Sequence, residues 1–207
     1  MALFAGRVAT AGATPASNAN IANIITVARI LMAPLFIVLL LDDAGRFGAL
    51  RWVAAVLFVV AIVTDSLDGF LARRLNLVTD FGKIVDPIAD KVLTGGALVA
   101  LSILGELWWW VTIVILVREF GITIFRLIVI RRRVIPAAAS GKLKTVFQAV
   151  AISLFLFPLW TFLGTASWNT AVHWVNWVVM GVAFVLTVYS GVDFVVKYLR
   201  ANRSVGR

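Results

Sequence analysis

A chain of 207 residues that is 62% hydrophobic and 14% charged, with a mean hydropathy of +1.01, differs sharply from soluble domains. Those are roughly 45–50% apolar and about 25% charged, so this composition reads as an all-α, polytopic membrane protein. No cysteine is present, which excludes a disulfide framework and thiolate metal sites, and a lone His173 excludes a histidine zinc cluster. Any metal must then be held by carboxylate oxygens, which points to a hard ion such as Mg²⁺ or Mn²⁺. The net charge of +9 fits basic cytoplasmic loops rather than a nucleic-acid partner.

In chain order, residues 1–20 are rich in Ala, Gly, Ser, Thr and Asn, with Arg7 as their sole charge. They lack the apolar core of a cleavable signal and read as a flexible or interfacial lead-in. Six segments then offer about the 20 mostly apolar residues that a membrane span needs: 23–41, 49–72, 84–104, 108–130, 144–163 and 171–197. Together they make one six-helix transmembrane catalytic domain over 21–200, followed by a basic tail over 201–207. The joints carry turn residues: Asp42-Asp43-Ala44-Gly45, Gly105-Glu106, Arg131-Arg132-Arg133 with Pro136, and Gly164-Thr165.

With the N-terminus cytoplasmic, the inner side receives Arg7, Arg73, Arg74, Lys83, Arg131 to Arg133, Lys142, Lys144, Lys197, Arg200, Arg203 and Arg207. The outer side receives Arg46 and Arg51, a lopsided bias that predicts both termini inside. All eight tryptophans fall at the outer ends of the predicted spans, which supports the boundaries. The run Arg131–Arg133 reads as a topogenic anchor for anionic headgroups. His173, near the outer interface, reads as structural.

Five of the ten acidic residues fall between Asp65 and Asp90, at the cytoplasmic ends of the second and third predicted helices. Asp65 and Asp68 are three apart and Asp86 and Asp90 four apart, so each pair shares a helix face. Two neighbouring helices that each present a carboxylate pair form a cage for one or two divalent ions; without a cation the charges repel. A solvated helix end with Arg73, Arg74 and Lys83 as counter-ions is the bland alternative, but Asp65 and Asp68 lie inside the apolar run Val53–Leu71. The Asp86-Pro87 junction predicts a helix start or a kink. Gly69 and Gly82 allow close approach of a ligand or backbone, and Arg73 stands where a guanidinium can fork onto phosphate oxygens.

The pattern Asp65-x2-Asp68-Gly69-x2-Ala72-Arg73-x8-Gly82-x3-Asp86-x3-Asp90 resembles the signature of the CDP-alcohol phosphotransferases, with every fixed position filled. The resemblance implies a six-helix transmembrane bundle, usually a homodimer, that transfers a phosphatidyl or similar group from a CDP-linked donor to an alcohol and releases CMP. Within that family the chain is most similar to members that use CDP-diacylglycerol as donor and glycerol 3-phosphate as acceptor. The similar stretches are Asn23–Arg29, Asp86–Lys91, Arg118–Thr123 and Gly141–Thr145.

Carried over, the metal roles fall on Asp65, Asp68, Asp86 and Asp90, around two Mg²⁺ or Mn²⁺ ions. Asp86 and Asp90 are the catalytic pair, with Asp90 as general base toward the acceptor hydroxyl. Asp68, Gly69, Ala72, Arg73 and Gly82 line the CDP site. For the acceptor phosphate, Arg118 lies midway along the fourth helix and Arg126 eight residues later, about 80° further round. Lys142 and Lys144 follow near the start of the fifth. Arginine deep in a span is a functional candidate by default, and Glu119 or the aspartates are the alternative, structural partners of Arg118. The implied setting is a prokaryotic plasma membrane with the active site facing the cytoplasm.

Three rival readings stand beside this one. The same chemistry can use inositol phosphate, phosphatidylglycerol or serine, although serine leaves Arg118, Arg126 and Lys142 without an obvious ligand. A divalent-cation channel or transporter needs an outer acidic route, where the sequence offers just the loop residues Asp42, Asp43 and Glu106. A non-catalytic scaffold leaves four intramembrane aspartates unexplained.

Overall fold

The computed structural model describes the backbone of residues 16–74, 80–129 and 139–203, and the side chains of 30–66, 89–125 and 143–199. Among these residues the fold is all-α: α1 (Ala16–Asp43), α2 (Ala49–Arg74), α3 (Asp80–Ile103), α4 (Trp109–Val129), α5 (Ala139–Leu156) and α6 (Ala166–Arg203), with a 3₁₀ turn at Leu159–Thr161. α1 lies along α2 and α3, α5 lies along α6, and α5 also touches α2 and α3, while α4 bridges α3 and α6.

Small residues set how closely these helices approach. Ala54, Ala55 and Ala61 of α2 and Ala97 and Ala100 of α3 are buried against Ala33, Phe36 and Leu40 of α1 and its neighbours. At Gly96 a β-carbon would run into Ile37 Cδ1, so a larger residue there makes the end of the Ile37 side chain move. The outer surface is apolar instead of charged: Leu31, Val38, Val63, Val117, Val185 and Val192 are all exposed. Among the described residues two stretches, Ala49–Ser66 and Ala166–Leu199, are long and apolar enough to cross a membrane by length and composition. Such a surface is that of a membrane protein, with lipid in the place of water.

The joints explain where the predicted boundaries hold and where they move. α1 ends in a turn with Ala44 and Gly45 at positive φ, and the buried Asp43 carboxylate accepts from Phe47 N–H at 2.9 Å and Gly48 N–H at 3.0 Å. α3 closes in a Schellman turn: Glu106 N–H reaches Leu101 O at 3.0 Å and Gly105 N–H reaches Ser102 O at 3.1 Å, with Gly105 at φ 74°. The fifth helix stops at Leu156, not at the predicted 163, because Pro158 disfavours helical geometry in the residue before it. α3 begins at Asp80, upstream of the Asp86-Pro87 junction where a start or kink was expected. α1 begins at Ala16, inside the stretch read as a lead-in, and residues 1–15 and 204–207 lie outside the described residues.

Arg51 does more than the charge count assigns to it. Counted from sequence as an outer-side charge within the span 49–72, it does sit in the first turn of α2, with its side chain wholly enclosed. Both terminal nitrogens donate to the Glu106 carboxylate in a two-pronged pair, Nη1 at 2.8 Å. Its Nε donates to Leu156 O at 2.8 Å and Nη2 to Phe155 O at 2.9 Å, which satisfies carbonyls at the C-terminus of α5. One side chain thus ties the start of α2 and the turn between α3 and α4 to the end of α5. Around this knot Trp52 packs on Phe157 and Phe162, and His173 stacks on Trp160 at 4.9 Å, in keeping with its structural reading.

Candidate active site

Asp65 and Asp68 ride on one unbroken helix, α2, and Asp86 and Asp90 on another, α3, so the spacing argument of shared faces applies to both pairs. Side chains are described for Asp65 and Asp90, both partly buried. Asp90 stands within electrostatic reach of Asp65 on α2, Lys91 on its own helix, Lys144 on α5 and Glu119 on α4. The hydroxyls beside this carboxylate pair are tied down locally: Thr64 Oγ1 donates to Val60 O at 2.6 Å, Ser66 Oγ to Ile62 O at 3.0 Å, and Thr94 Oγ1 to Asp90 O at 2.8 Å. Hydroxyls bonded back into their own helix add no competing donors to the carboxylates.

The side chains of Asp68, Gly69, Ala72, Arg73, Gly82, Asp86, Arg126 and Lys142 lie outside the described residues. Among the described residues no three acidic or histidine side chains stand together as a metal cage. The donor set still fits a hard divalent ion. Its two described members are carboxylates from different helices, close enough to repel, and a cation between such groups relieves the repulsion.

A second cluster adjoins the first. Glu119 Oε1 accepts from Arg118 Nη1 at 2.8 Å and from Lys144 Nζ at 2.5 Å. Arg118 Nη2 donates to Ser190 Oγ of α6 at 2.7 Å. Lys144 is buried and Arg118 nearly so, with 17% of its side chain accessible. Three helices therefore converge here on two cations and one carboxylate, a local charge of +1 beside Asp90. Of the residues expected to meet an acceptor phosphate, Arg118 and Lys144 are brought together. Their pairing with Glu119 is the structural alternative the sequence raised. It does not consume the guanidinium, which has five N–H groups, two of them engaged in these bonds.

Sequence reasoning passed over α6. Ser190 and Gly191 belong to this cluster, and their signal is a polar interruption, Thr187, Ser190, Gly191 and Asp193, in an otherwise apolar helix.

Comparison with known proteins agrees with the signature. The sequence profile described as CDP-alcohol phosphatidyltransferase matches residues 19–189. A protein of Mycobacterium tuberculosis called a probable phosphatidylglycerophosphate synthase is 50% identical over 182 residues, 88% of this chain and 83% of the relative. A CDP-diacylglycerol–glycerol-3-phosphate 3-phosphatidyltransferase of Bacillus subtilis is 41% identical over 147 residues, 66% of this chain and 76% of the relative. One of Rickettsia bellii with the same name is 33% identical over 177 residues, 84% of this chain and 93% of the relative.

Proposed function

The chain belongs to the CDP-alcohol phosphatidyltransferase family, and from that premise we propose that it moves the phosphatidyl group of CDP-diacylglycerol onto glycerol 3-phosphate, giving phosphatidylglycerol phosphate and CMP. The supporting observation is the adjacency of two unlike clusters: the Asp65–Asp90 carboxylates, and the Arg118–Glu119–Lys144 cluster, whose Lys144 and Glu119 stand within electrostatic reach of Asp90. A donor diphosphate needs its charge neutralised, and a phosphate-bearing acceptor needs cations a short distance from the attacking hydroxyl. This pairing supplies both.

In this reading Asp65, Asp68, Asp86 and Asp90 would hold two Mg²⁺ or Mn²⁺ ions, whose chemistry is to neutralise the diphosphate and stabilise the departing CMP oxygen. Gly69, Ala72 and Gly82 leave room for the cytidine nucleotide, Asp68 contacts it, and Arg73 forks onto the diphosphate. Arg118, Arg126, Lys142 and Lys144 hold the acceptor phosphate and so orient its free hydroxyl. Asp90, with Asp86 beside it, accepts the proton of that hydroxyl. The hydroxyl oxygen bonds to the phosphatidyl phosphorus, the bond from that phosphorus to the CMP oxygen breaks, and CMP leaves with the electron pair. Six membrane-spanning helices over 21–200, the lead-in and the basic tail flanking them, a cytoplasm-facing site, a prokaryotic plasma membrane and a homodimer complete the proposal.

The test is CMP release from CDP-diacylglycerol by purified protein, with Mg²⁺ or EDTA, and with each acceptor added separately. Metal-dependent release with glycerol 3-phosphate alone is the expected result. Release with inositol phosphate, serine or phosphatidylglycerol instead would keep the reaction and overturn the acceptor.

A further inference from the structure

Arg118 is held from a direction that the reaction alone does not require. Its Nη2 bonds to Ser190 Oγ at 2.7 Å, and Ser190 Oγ donates its own hydrogen to Thr187 O at 3.1 Å. With its proton committed to a carbonyl of α6, the buried Ser190 hydroxyl presents lone pairs to the guanidinium and acts as a fixed acceptor. The next residue is glycine, and a β-carbon there would stand 3.2 Å from Arg118 Cγ and 3.4 Å from its Nε. The arginine stem therefore lies flat on the backbone of α6. Arg118 Nε is buried and has no hydrogen-bond partner among the described residues, so the plane of the group is set by Glu119, Ser190 and the glycine surface.

A guanidinium recognises phosphate through paired N–H groups in one plane, so fixing that plane in advance lowers the ordering cost of binding. We propose that Ser190 and Gly191 of α6 are positioning residues that orient Arg118 for the phosphate of the acceptor. The proposal rests on the acceptor reading above and adds α6 to it. Ser190 touches neither substrate nor the reacting atoms; it acts through Arg118.

The experiment compares Ser190→Ala, Ser190→Thr, Gly191→Ala and the parent in steady-state CMP release, varying glycerol 3-phosphate and CDP-diacylglycerol in turn. An arginine already held in its binding orientation does not meet the ordering cost of a free side chain, which is worth up to roughly tenfold in affinity. Ser190→Ala is therefore expected to raise KM for glycerol 3-phosphate about tenfold and to leave KM for CDP-diacylglycerol within about twofold. Ser190→Thr, which keeps the hydroxyl, should return KM for glycerol 3-phosphate to within about threefold of the parent. Gly191→Ala presses on the arginine stem without touching any hydroxyl, and should move the same constant in the same direction. An unchanged KM for glycerol 3-phosphate in both Ser190→Ala and Gly191→Ala, or parallel rises for both substrates with no rescue by threonine, would overturn the proposal. A parent enzyme that ignores glycerol 3-phosphate but turns over another acceptor overturns the acceptor reading itself, a distinct result visible before any variant is measured.

Discussion

Replacing Glu106 by methionine tests the buried charge knot around Arg51. The substitution keeps the volume and removes the partner of a fully enclosed guanidinium, leaving Arg51 with two backbone carbonyls and no counter-charge. Breaking a buried pair from one side costs about 3–5 kcal/mol. The Glu106 side chain keeps 16% of its accessibility and the α5 carbonyls remain bonded, so the lower end, about 3 kcal/mol, applies. For a chain of this size each kcal/mol shifts Tm by about 2–4 °C, so Tm should fall by about 6–12 °C. Arg51→Met alone should also destabilise, because it strips the carbonyls of Phe155 and Leu156 of their donors. The double variant should be less damaging than the sum, with a coupling of at least about 1.5 kcal/mol. Tryptophan-fluorescence melts in detergent micelles read all four proteins. A Glu106→Met melt within about 2 °C of the parent, or strict additivity in the double variant, would refute the reasoning.

Asp90→Asn should lower the CMP-release rate by about 10²–10⁴, the usual contribution of a general base, without lowering Tm, since it removes a charge that repels Asp65. A variant with near-normal turnover would contradict the role given to Asp90. Stripping divalent ions with EDTA should abolish turnover, and adding Mg²⁺ should both restore it and raise Tm, because a ligand bound by the native state stabilises it; turnover that survives stripping would sink the metal assignment. Gly96→Ala should lower Tm slightly, because displacing the Ile37 side chain costs about 1–3 kcal/mol and the better helix former returns about 0.5–1 kcal/mol; a raised Tm would show that Ile37 gives way freely.

Much of this architecture is legible from hydropathy, because in an apolar solvent a run of some 20 uncharged residues has few options besides a helix. What escapes such a reading is depth and partnership. In a sequence reading Arg51 is one more basic residue at the start of a span. Its burial follows from an acid 55 positions away and carbonyls 104 and 105 positions away, which no local pattern reveals. The end of α5 is misplaced for a related reason: Leu159 to Leu163 continue the apolar run, and Pro158 outweighs it through sterics. In the candidate site, the carriage of four aspartates on two helices is plain because helical spacing fixes it. The hold on Arg118 by Ser190 and Gly191 is not, since small residues in an apolar helix look like packing until a neighbour is seen lying on them.

The length of α6 has a consequence for the membrane around it. Its 38 residues rise about 57 Å, against a hydrocarbon core of about 30 Å. Even a 40° lean, at the limit of what such helices show, leaves about 44 Å along the bilayer normal, so part of α6 must stand clear of the oil. Counted back about 30 Å, or roughly 20 residues, from the exposed Lys197, which is suited to water, the oil ends near Trp177. A helix seated that way would leave Ala166–Asn176, with the exposed Trp168 and Trp174, as a post of about 16 Å in the headgroup layer. A thicker bilayer can climb this post and a thinner one can settle lower on it, so the helix need not change its lean. Activity in vesicles of short and long acyl chains should then vary little, whereas a sharp optimum at one thickness would mean the post is not a free margin.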